Sequence, residues 1–161
     1  MEIRALYPND WPAVKRIYEA GIATQIATFE TEVPPWEIWD KNHLSYCRLV
    51  SFREDIITGW VALSPVSSRC VYQGVAEVSV YIDPDFHGLG IGKTLMEQVI
   101  ESSETAGIWT LQSGIFSSNE ASIKLHEKVG FRIVGTREKL GMINGKWQDI
   151  ILMERRSPKV G

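Results

Sequence analysis

A glycine-rich turn is the segment of this sequence whose residue spacing points most directly to chemistry. Gly88, Gly90 and Gly92 alternate between a strand-like stretch and a helical pattern, and Lys93 follows them. Glycines at this spacing let backbone N–H groups converge on one point, and the helix N-terminus adds a partial positive charge. The turn therefore suits a phosphate or pyrophosphate group, with Lys93 adding charge at its edge.

Two common phosphate-binding motifs fit this turn poorly. The dinucleotide fingerprint GxGxxG fails because Lys93 stands where the third glycine is needed. A P-loop fails because His87 occupies the position of its first glycine, and the stretch 109–116 offers no aspartate for magnesium. From the turn alone, a second interpretation stays open: a glycine-rich connection between strand and helix that binds no ligand.

A candidate general base precedes the turn. Glu77 lies in an otherwise apolar strand pattern, in which Glu77, Ser79 and Tyr81 alternate with apolar residues and so share one face. Burial there would raise the pKa of the carboxyl group toward a useful range for proton abstraction. The alternative is a half-exposed carboxylate paired with a nearby Arg or Lys.

The elements that must position these residues follow the order β-α-α-β-β-β-α-β-α-β-β, which indicates a mixed α/β (α+β) domain. Strands are predicted over 2–6, 48–52, 56–63, 76–82, 109–116, 131–140 and 146–154. Helices are predicted over 11–22, from 34 to about 44, from the glycine turn to Gly107, and over 119–129. Asn144 and Gly145 form a strong hairpin turn between the last two strands.

Length and composition restrict the protein class. The chain has 161 residues, 44% of them hydrophobic, which suits one domain over 1–161. A formal charge of −3 without a basic block argues against nucleic-acid binding. No apolar run is long enough to span a membrane, and none resembles a signal peptide. Cys47 and Cys70 are isolated, so we expect no disulfide scaffold, no metal site and a cytoplasmic location.

The segment from Ser118 to Phe131 contains NxxSxxLHexxGF, which resembles the segment after the fifth strand of GCN5-related N-acetyltransferases (GNAT). The stretch from His87 to Gly92 resembles their pyrophosphate loop, [QR]xxGx[GA], with His87 replacing Gln or Arg. Three further segments are similar to the phosphinothricin-type branch: TFETE at 28–32 with Pro34, AE-x-S-x-Y at 76–81, and GxWxD at 145–149 with Met153. The sequence is identified as a member of this family.

The resemblance implies the GNAT fold, a mostly antiparallel sheet of about seven strands with about four helices, and acetyl-CoA as cosubstrate. The backbone of Val80, Tyr81 and Ile82 would meet the pantetheine arm. A β-bulge would splay this strand, and a backbone amide there would hold the thioester oxygen. The pyrophosphate would be held by the turn: His87, Gly88, Leu89, Gly90, Ile91, Gly92 and Lys93.

Two residues of the downstream helix have both a structural and a functional interpretation. Asn119 and Ser122 would contact the pantetheine amide, although an Asn–Ser pair at this spacing also caps a helix. His126 stands where many GNAT enzymes carry a tyrosine general acid, and it could protonate the thiolate or relay the proton of the amine. A packed, positioning histidine is the alternative, and Tyr81 is the reserve general acid.

The resemblance also suggests an acceptor pocket. Arg69 and Tyr72 have the RxxY spacing of the phosphinothricin enzymes, and an arginine suits a carboxylate or phosphinate. A surface arginine is the alternative. The other predicted substrate-binding residues are Phe29, Glu32, Glu77, Val78 and Ser79. Trp147 and Asp149 more plausibly organise the last hairpin.

The expected reaction is acetyl transfer from acetyl-CoA to the α-amine of a small amino acid or analogue, by direct attack in a ternary complex. Phosphinothricin, methionine sulfoximine and methionine sulfone are the substrates that the resemblance suggests. The alternatives are a polyamine, aminoglycoside or protein N-terminus as acceptor, an acetyl-cysteine route, or a non-catalytic acyl-CoA-binding module. A homodimer is expected, with the tryptophan-rich N-terminal helices as its exposed surface.

Overall fold

The predicted order of strands and helices is confirmed in the computed structural model, which describes residues 1–161. The strands are β1 Glu2–Ala5, β2 Leu49–Arg53, β3 Ile56–Pro65, β4 Val75–Ile82, β5 Thr110–Phe116, β6 Arg132–Ile143 and β7 Lys146–Arg156. The helices are α1 Trp11–Ala23, α2 Trp36–Asn42, α3 Ile91–Thr105 and α4 Glu120–Lys128. None of these helices is long and apolar enough to cross a membrane.

The seven strands form one sheet in the order β1-β2-β3-β4-β5-β7-β6. Every neighbouring pair is antiparallel except β4 and β5, which are parallel. The expected mostly antiparallel sheet is therefore confirmed. The single parallel pair lies at the centre, where the chain crosses from β4 through α3 to β5.

The central pair separates soon after it forms. β4 and β5 pair only from Val75 to Glu77, opposite Thr110 to Gln112, although both strands continue beyond this point. The expected splay is thus present, but the expected β-bulge is not: β3 and β4 pair in a regular register from Gly59 to Pro65. The splay therefore comes only from the end of β4–β5 pairing after Glu77, which leaves the facing edges of these two strands without hydrogen bonds to each other.

Alternating side chains divide β4 between two cores. Val78, Val80 and Ile82 join the larger apolar cluster, which contains the buried face of α3. Tyr81 packs in the second cluster, with residues of α1 and α2, and stacks on Trp60 at a centroid distance of 4.9 Å. The predicted separation of Tyr81 from the apolar face is confirmed, and by strand alternation Glu77 shares its side.

The tryptophans of the N-terminal helices pack inward. Trp11, Trp36 and Trp39 lie with their ring centroids 5.5–5.7 Å apart, and Trp39 also meets Trp60 edge-on. Trp39 is only 1% exposed. The expectation that these helices offer an exposed tryptophan-rich surface is therefore wrong, because Trp39 is buried in the core between α1, α2 and the sheet, and Trp11 and Trp36 are half-buried against it. Trp147 on β7 is the exposed tryptophan.

The last hairpin has the predicted turn and an additional irregularity. Asn144 and Gly145 both have positive φ, at 48° and 75°, as a two-residue hairpin turn of this type requires. Within β6 the register shifts between Arg137 and Gly141. The Asp149 carboxylate accepts a hydrogen bond of 2.8 Å from the backbone N–H of Lys139 in this bulge, so Asp149 organises the hairpin as predicted.

Candidate active site

A cleft of about 1060 Å³ opens where β4 and β5 separate. One half lies along β4, the glycine turn and the start of α4. The other half lies under the loop 24–34, between the end of α2, β5 and the bulge of β6. The strand edge and the glycine turn therefore face one continuous space, whose volume suits an extended ligand together with a second, small molecule.

The glycine turn has the geometry that its sequence predicts. Gly88 and Gly90 have φ of 78° and 77°, and a Cβ on either would meet no atom within 4 Å. Gly90 is the N-cap of α3 and provides no side chain to occupy the first N–H groups of the helix. This open, positively polarised helix start fits a diphosphate group.

The flanking residues of the turn have different surroundings. His87 and Ile91 line the cleft, whereas Leu89 and Lys93 are exposed outside its lining. The His87 Nε2 atom lies 3.1 Å from the carbonyl oxygen of Ile82, so this side chain folds back on the turn. His87 thus links the turn to the end of β4. The Lys93 ammonium lies 3.7 Å from the exposed Glu97 carboxylate.

Asn119 caps α4, as one of its two interpretations predicts. Its Oδ1 accepts a hydrogen bond of 3.2 Å from the backbone N–H of Ser122. Its Nδ2 lies 3.4 Å from the carbonyl oxygen of Ile26 and links α4 to the loop 24–34. Asn119 and Ser122 both line the cleft, so capping leaves both residues beside a ligand there.

Glu77 is the last residue of β4 that pairs with β5, and it lines the cleft. Burial raises the pKa of its carboxyl group, and the backbone N–H of Gly114 opposes this in part by bonding to the ionised form. No salt bridge involves Glu77, so the ion-paired surface carboxylate of the alternative interpretation is not observed. A partly desolvated, unpaired carboxylate is suited to accepting a proton.

His126 is buried in α4 with one free ring nitrogen. Its Nδ1 lies 2.7 Å from the carbonyl oxygen of Ser122, which can only accept, so Nδ1 carries the hydrogen. Its Nε2 is buried and has no partner. Burial lowers the pKa of the imidazole, against a smaller raising effect from the Ser122 carbonyl. The neutral ring therefore presents an acceptor at Nε2, which suits receiving a proton better than donating one.

Tyr81 keeps its proton. Its ring lies between Trp60 and Tyr18, each 4.9 Å away by centroid. Burial raises the pKa of the phenol, with the neighbouring Tyr18 adding to the effect. Gly21 of α1 makes room for the ring, because a Cβ there would lie 2.5 Å from it. A phenol that stays protonated is a hydrogen-bond donor on the cleft.

The acceptor half of the cleft has an apolar, aromatic wall. Phe29 packs on Phe116 at a centroid distance of 4.7 Å and lies over Gly141, where a Cβ would stand 2.8 Å from the ring. Ile150 borders the same space, and Val78 and Ser79 line it from β4. Phe29, Val78 and Ser79 are thus brought together with Glu77, as predicted.

Three predicted substrate-binding residues lie elsewhere in this chain. Glu32 borders a separate surface depression with Lys15. Arg69 and Tyr72 are exposed outside the cleft lining, and the Arg69 guanidinium stands 5.6 Å above the Tyr72 ring. Neither residue is among those that line the cleft, so this chain alone does not place the pair in it.

Several lining residues were not singled out from the sequence. They are Thr28, Glu30, Trp39, Asn42, His43, Gly114, Phe116, Arg137 and Ile150. Most belong to the loop 24–34, α2 or the β6 bulge, and their approach to β4 depends on tertiary packing. Counting residue pairs outward from the hairpin turn would have placed Arg137 on the face of the sheet that carries Ile150 and Leu152, which line the cleft.

Comparisons with known proteins agree with this geometry. The model of the acetyltransferase (GNAT) family matches residues 5–131. An L-methionine sulfoximine/L-methionine sulfone acetyltransferase of Salmonella typhimurium is 32% identical over 159 residues, covering 96% of this chain and 93% of that protein. A phosphinothricin N-acetyltransferase of Alcaligenes faecalis is 33% identical over 164 residues, covering 95% and 81%.

A solved structure extends the likeness to three dimensions. The acetyltransferase yncA of Salmonella typhimurium, solved with its cofactor acetyl-CoA, superposes with a TM-score of 0.88 at 27% identity, over 96% of this chain and 92% of that one. The match of sequence and fold extends over nearly the whole chain, and the splayed sheet and glycine turn lie within it. The chain belongs to the acetyltransferase (GNAT) family.

Proposed function

We propose that this protein transfers the acetyl group of acetyl-CoA to the α-amine of a small amino acid or amino-acid analogue, of the phosphinothricin, methionine sulfoximine or methionine sulfone type. The observation that carries the proposal is the position of Glu77. Its partly desolvated carboxylate lies where β4 leaves β5, in the same cleft as the open glycine turn. The similarity to acetyltransferases with such substrates supports the acceptor class.

The reaction needs a neutral amine next to the thioester. Glu77 accepts one proton from the substrate ammonium, directly or through water. The amine nitrogen then attacks the thioester carbonyl carbon, a C–N bond forms, and the C–S bond breaks. The nitrogen loses its second proton and the CoA thiolate gains one, so that one proton in total passes to solvent.

Two further residues have roles in this proposal. The Nε2 of His126 is an unpartnered acceptor beside the cleft and suits relay of an amine proton. The Tyr81 hydroxyl remains protonated and suits donation toward the departing thiolate. Gly88, Gly90 and the first amides of α3 hold the pyrophosphate, while Val80, Tyr81 and Ile82 meet the pantetheine arm along the free edge of β4.

The test is a thiol-release assay with acetyl-CoA and a panel of acceptors. Free amino acids, their sulfone and sulfoximine analogues, polyamines, aminoglycosides and a peptide with a free N-terminus belong in the panel. Turnover confined to the amino acids and analogues is expected, because acetyltransferases with such substrates resemble this chain over nearly its whole length. Turnover only with polyamines, aminoglycosides or the peptide would contradict the acceptor class. Acetyl-CoA binding with no turnover would instead favour a non-catalytic module.

The proposal includes a homodimer and a cytoplasmic location. Exposed apolar side chains on the last hairpin, including Ile133, Met142 and Trp147, support association of two copies. Both cysteines are free, which suits a reducing compartment. Sedimentation analysis of the purified protein tests the dimer, and a mass of about one chain would contradict it.

A further inference from the structure

We infer that Arg137 binds the carboxylate of the acceptor, from within the same chain, and so restricts the enzyme to amines that carry a neighbouring carboxylate. This inference rests on the proposed function and names a residue for its substrate class. Arg137 lies in β6, just before the bulge, and lines the acceptor half of the cleft.

The sheet directs Arg137 toward the acceptor space. Arg137 is directly opposite Ile150 on β7, and Ile150 is directly opposite Phe116 on β5. Opposite residues of antiparallel strands project from the same face. Phe116 and Gly114 are two residues apart on β5, so Gly114 also belongs to this face, and the Glu77 carboxylate lies over it.

Charge distinguishes Arg137 from the other residues of the cleft. The lining contains the carboxylates Glu30 and Glu77, and Arg137 is its only Lys or Arg. Arg137 makes no salt bridge and donates no side-chain hydrogen bond. In contrast, five other arginines of the chain each pair with a carboxylate: Arg4, Arg16, Arg48, Arg132 and Arg155. An unpaired guanidinium beside an apolar pocket is available to a ligand anion.

The distance across the sheet suits an amino acid. The Glu77 carboxylate, which projects from β4, lies over Gly114 of β5. Two strand spacings of about 4.8 Å separate β5 from the backbone of β6. The long Arg137 side chain can reach back over part of this distance. In the proposed arrangement the ammonium of the amino acid faces Glu77 and its carboxylate faces Arg137. Its side chain then lies among Phe29, Phe116 and Ile150.

The bulge after Arg137 is held from several sides. Lys139 has a φ of 47°, and its N–H is bound by the Asp149 carboxylate. Gly141, at the other end of the bulge, lies directly under the Phe29 ring. The strand segment that carries Arg137 is thus fixed to β7 and to the loop over the pocket. Arg69 has no comparable connection to the cleft.

The experiment compares two acceptors that differ only at the carboxyl group: methionine sulfone and its α-carboxamide. Wild type, Arg137→Ala, Arg137→Lys and Arg69→Ala are assayed at saturating acetyl-CoA. Arg137→Ala is expected to lower kcat/KM for methionine sulfone about 10- to 100-fold, the range for losing a hydrogen-bonded charge. The carboxamide should change less than about twofold, Arg137→Lys should recover part of the loss, and Arg69→Ala should resemble wild type.

Four results would overturn the inference. Equal loss for both acceptors in Arg137→Ala would assign the residue a general role in the fold or in catalysis. Wild-type activity of Arg137→Ala on both acceptors would leave the arginine without a role, even though the proposed acetyl transfer stands. If only Arg69→Ala lost the preference for the acceptor with a carboxylate, carboxylate binding would belong to the loop between β3 and β4 that carries Arg69. A wild-type enzyme inactive on both acceptors would overturn the proposed function together with this inference.

Discussion

Glu77 and Gly114 face each other at the point where the two central strands separate. The Glu77 Oε1 atom lies 3.9 Å from the position that a Cβ on Gly114 would take, and Ile150 Cγ2 lies 3.2 Å from it. A side chain at position 114 would therefore occupy the space between the carboxylate and the apolar wall of the pocket. Glycine at this position leaves room for an acceptor amine next to Glu77.

Gly114→Val is expected to block the acceptor half of the cleft. Its branched side chain would press on Ile150 and crowd the Glu77 carboxylate, so kcat/KM for the amine should fall more than about tenfold. The dissociation constant for acetyl-CoA should change little, because the glycine turn is at the other end. Isothermal titration and steady-state kinetics on the same preparation measure both quantities.

Gly135→Val is the matched control for this variant. Gly135 is also a strand glycine, on β6, and a Cβ there would meet nothing within 4 Å. Near wild-type activity is expected for it. If Gly114→Val retained full activity, the acceptor would have to bind elsewhere.

The pH dependence of catalysis should report the ionisation of Glu77. Burial raises the pKa of Glu77 above its ordinary value of about 4.3, and a free α-amine titrates near pH 8. Glu77 must be ionised to accept the proton of the substrate ammonium, so kcat/KM of wild type should rise through the raised pKa of Glu77 with a slope of one on a logarithmic plot and level off below about pH 8. In Glu77→Gln the amine must lose its proton to solvent first, so the rise should shift to the pKa of the amine. A rise that follows the amine pKa in both proteins would contradict the assignment of Glu77 as base.

The same shift in pKa has a consequence for stability. A carboxyl group with a raised pKa in the folded protein favours folding while it is protonated, and this contribution is lost as pH rises through the folded pKa. Below the ordinary carboxyl pKa, wild type and Glu77→Gln should thus differ least in free energy of unfolding. At neutral pH, Glu77→Gln should be as stable as wild type or more stable. Urea unfolding at several pH values measures the difference, and a marked loss of stability at neutral pH would indicate a structural ion pair instead.

The glycine turn offers a test with a close control. Gly90→Ala places a side chain at φ 77°, at a cost of about 1–2 kcal/mol, and adds a methyl group at the start of α3. Gly107→Ala imposes similar backbone strain at φ 84°, also in open space, after the end of the same helix. Both variants should lose similar stability, but only Gly90→Ala should weaken acetyl-CoA binding. Equal affinity in the two variants would contradict the role of the turn.

Much of the fold could be predicted because its signals are local. The periodicity of apolar residues defined every strand and helix in order, and Asn144–Gly145 located the final turn. The glycine turn and the cap at Asn119 were also local patterns with a known geometry. The family match then indicated the cleft in which they meet.

The rest depends on tertiary packing that one sequence does not reveal. Neighbouring tryptophans suggested an exposed surface, yet Trp39 lies in the core between α1, α2 and the sheet, and Trp11 and Trp36 pack against it. The expected bulge in β4 is absent, and the bulge in β6 contains a long-range hydrogen bond from the Lys139 N–H to the Asp149 carboxylate. That bulge places Arg137 opposite Ile150, a pairing that a count from the hairpin turn would miss by two residues.

Turnover and cofactor binding, measured together in Glu77→Gln, test whether Glu77 activates the acceptor amine. Thiol release with acetyl-CoA and methionine sulfone should fall about 10²- to 10⁴-fold, the usual contribution of general base catalysis. The dissociation constant for acetyl-CoA should stay within about twofold of the wild-type value, because the carboxylate lies outside the glycine turn. Turnover close to wild type with intact acetyl-CoA binding would contradict the central claim that Glu77 activates the acceptor amine.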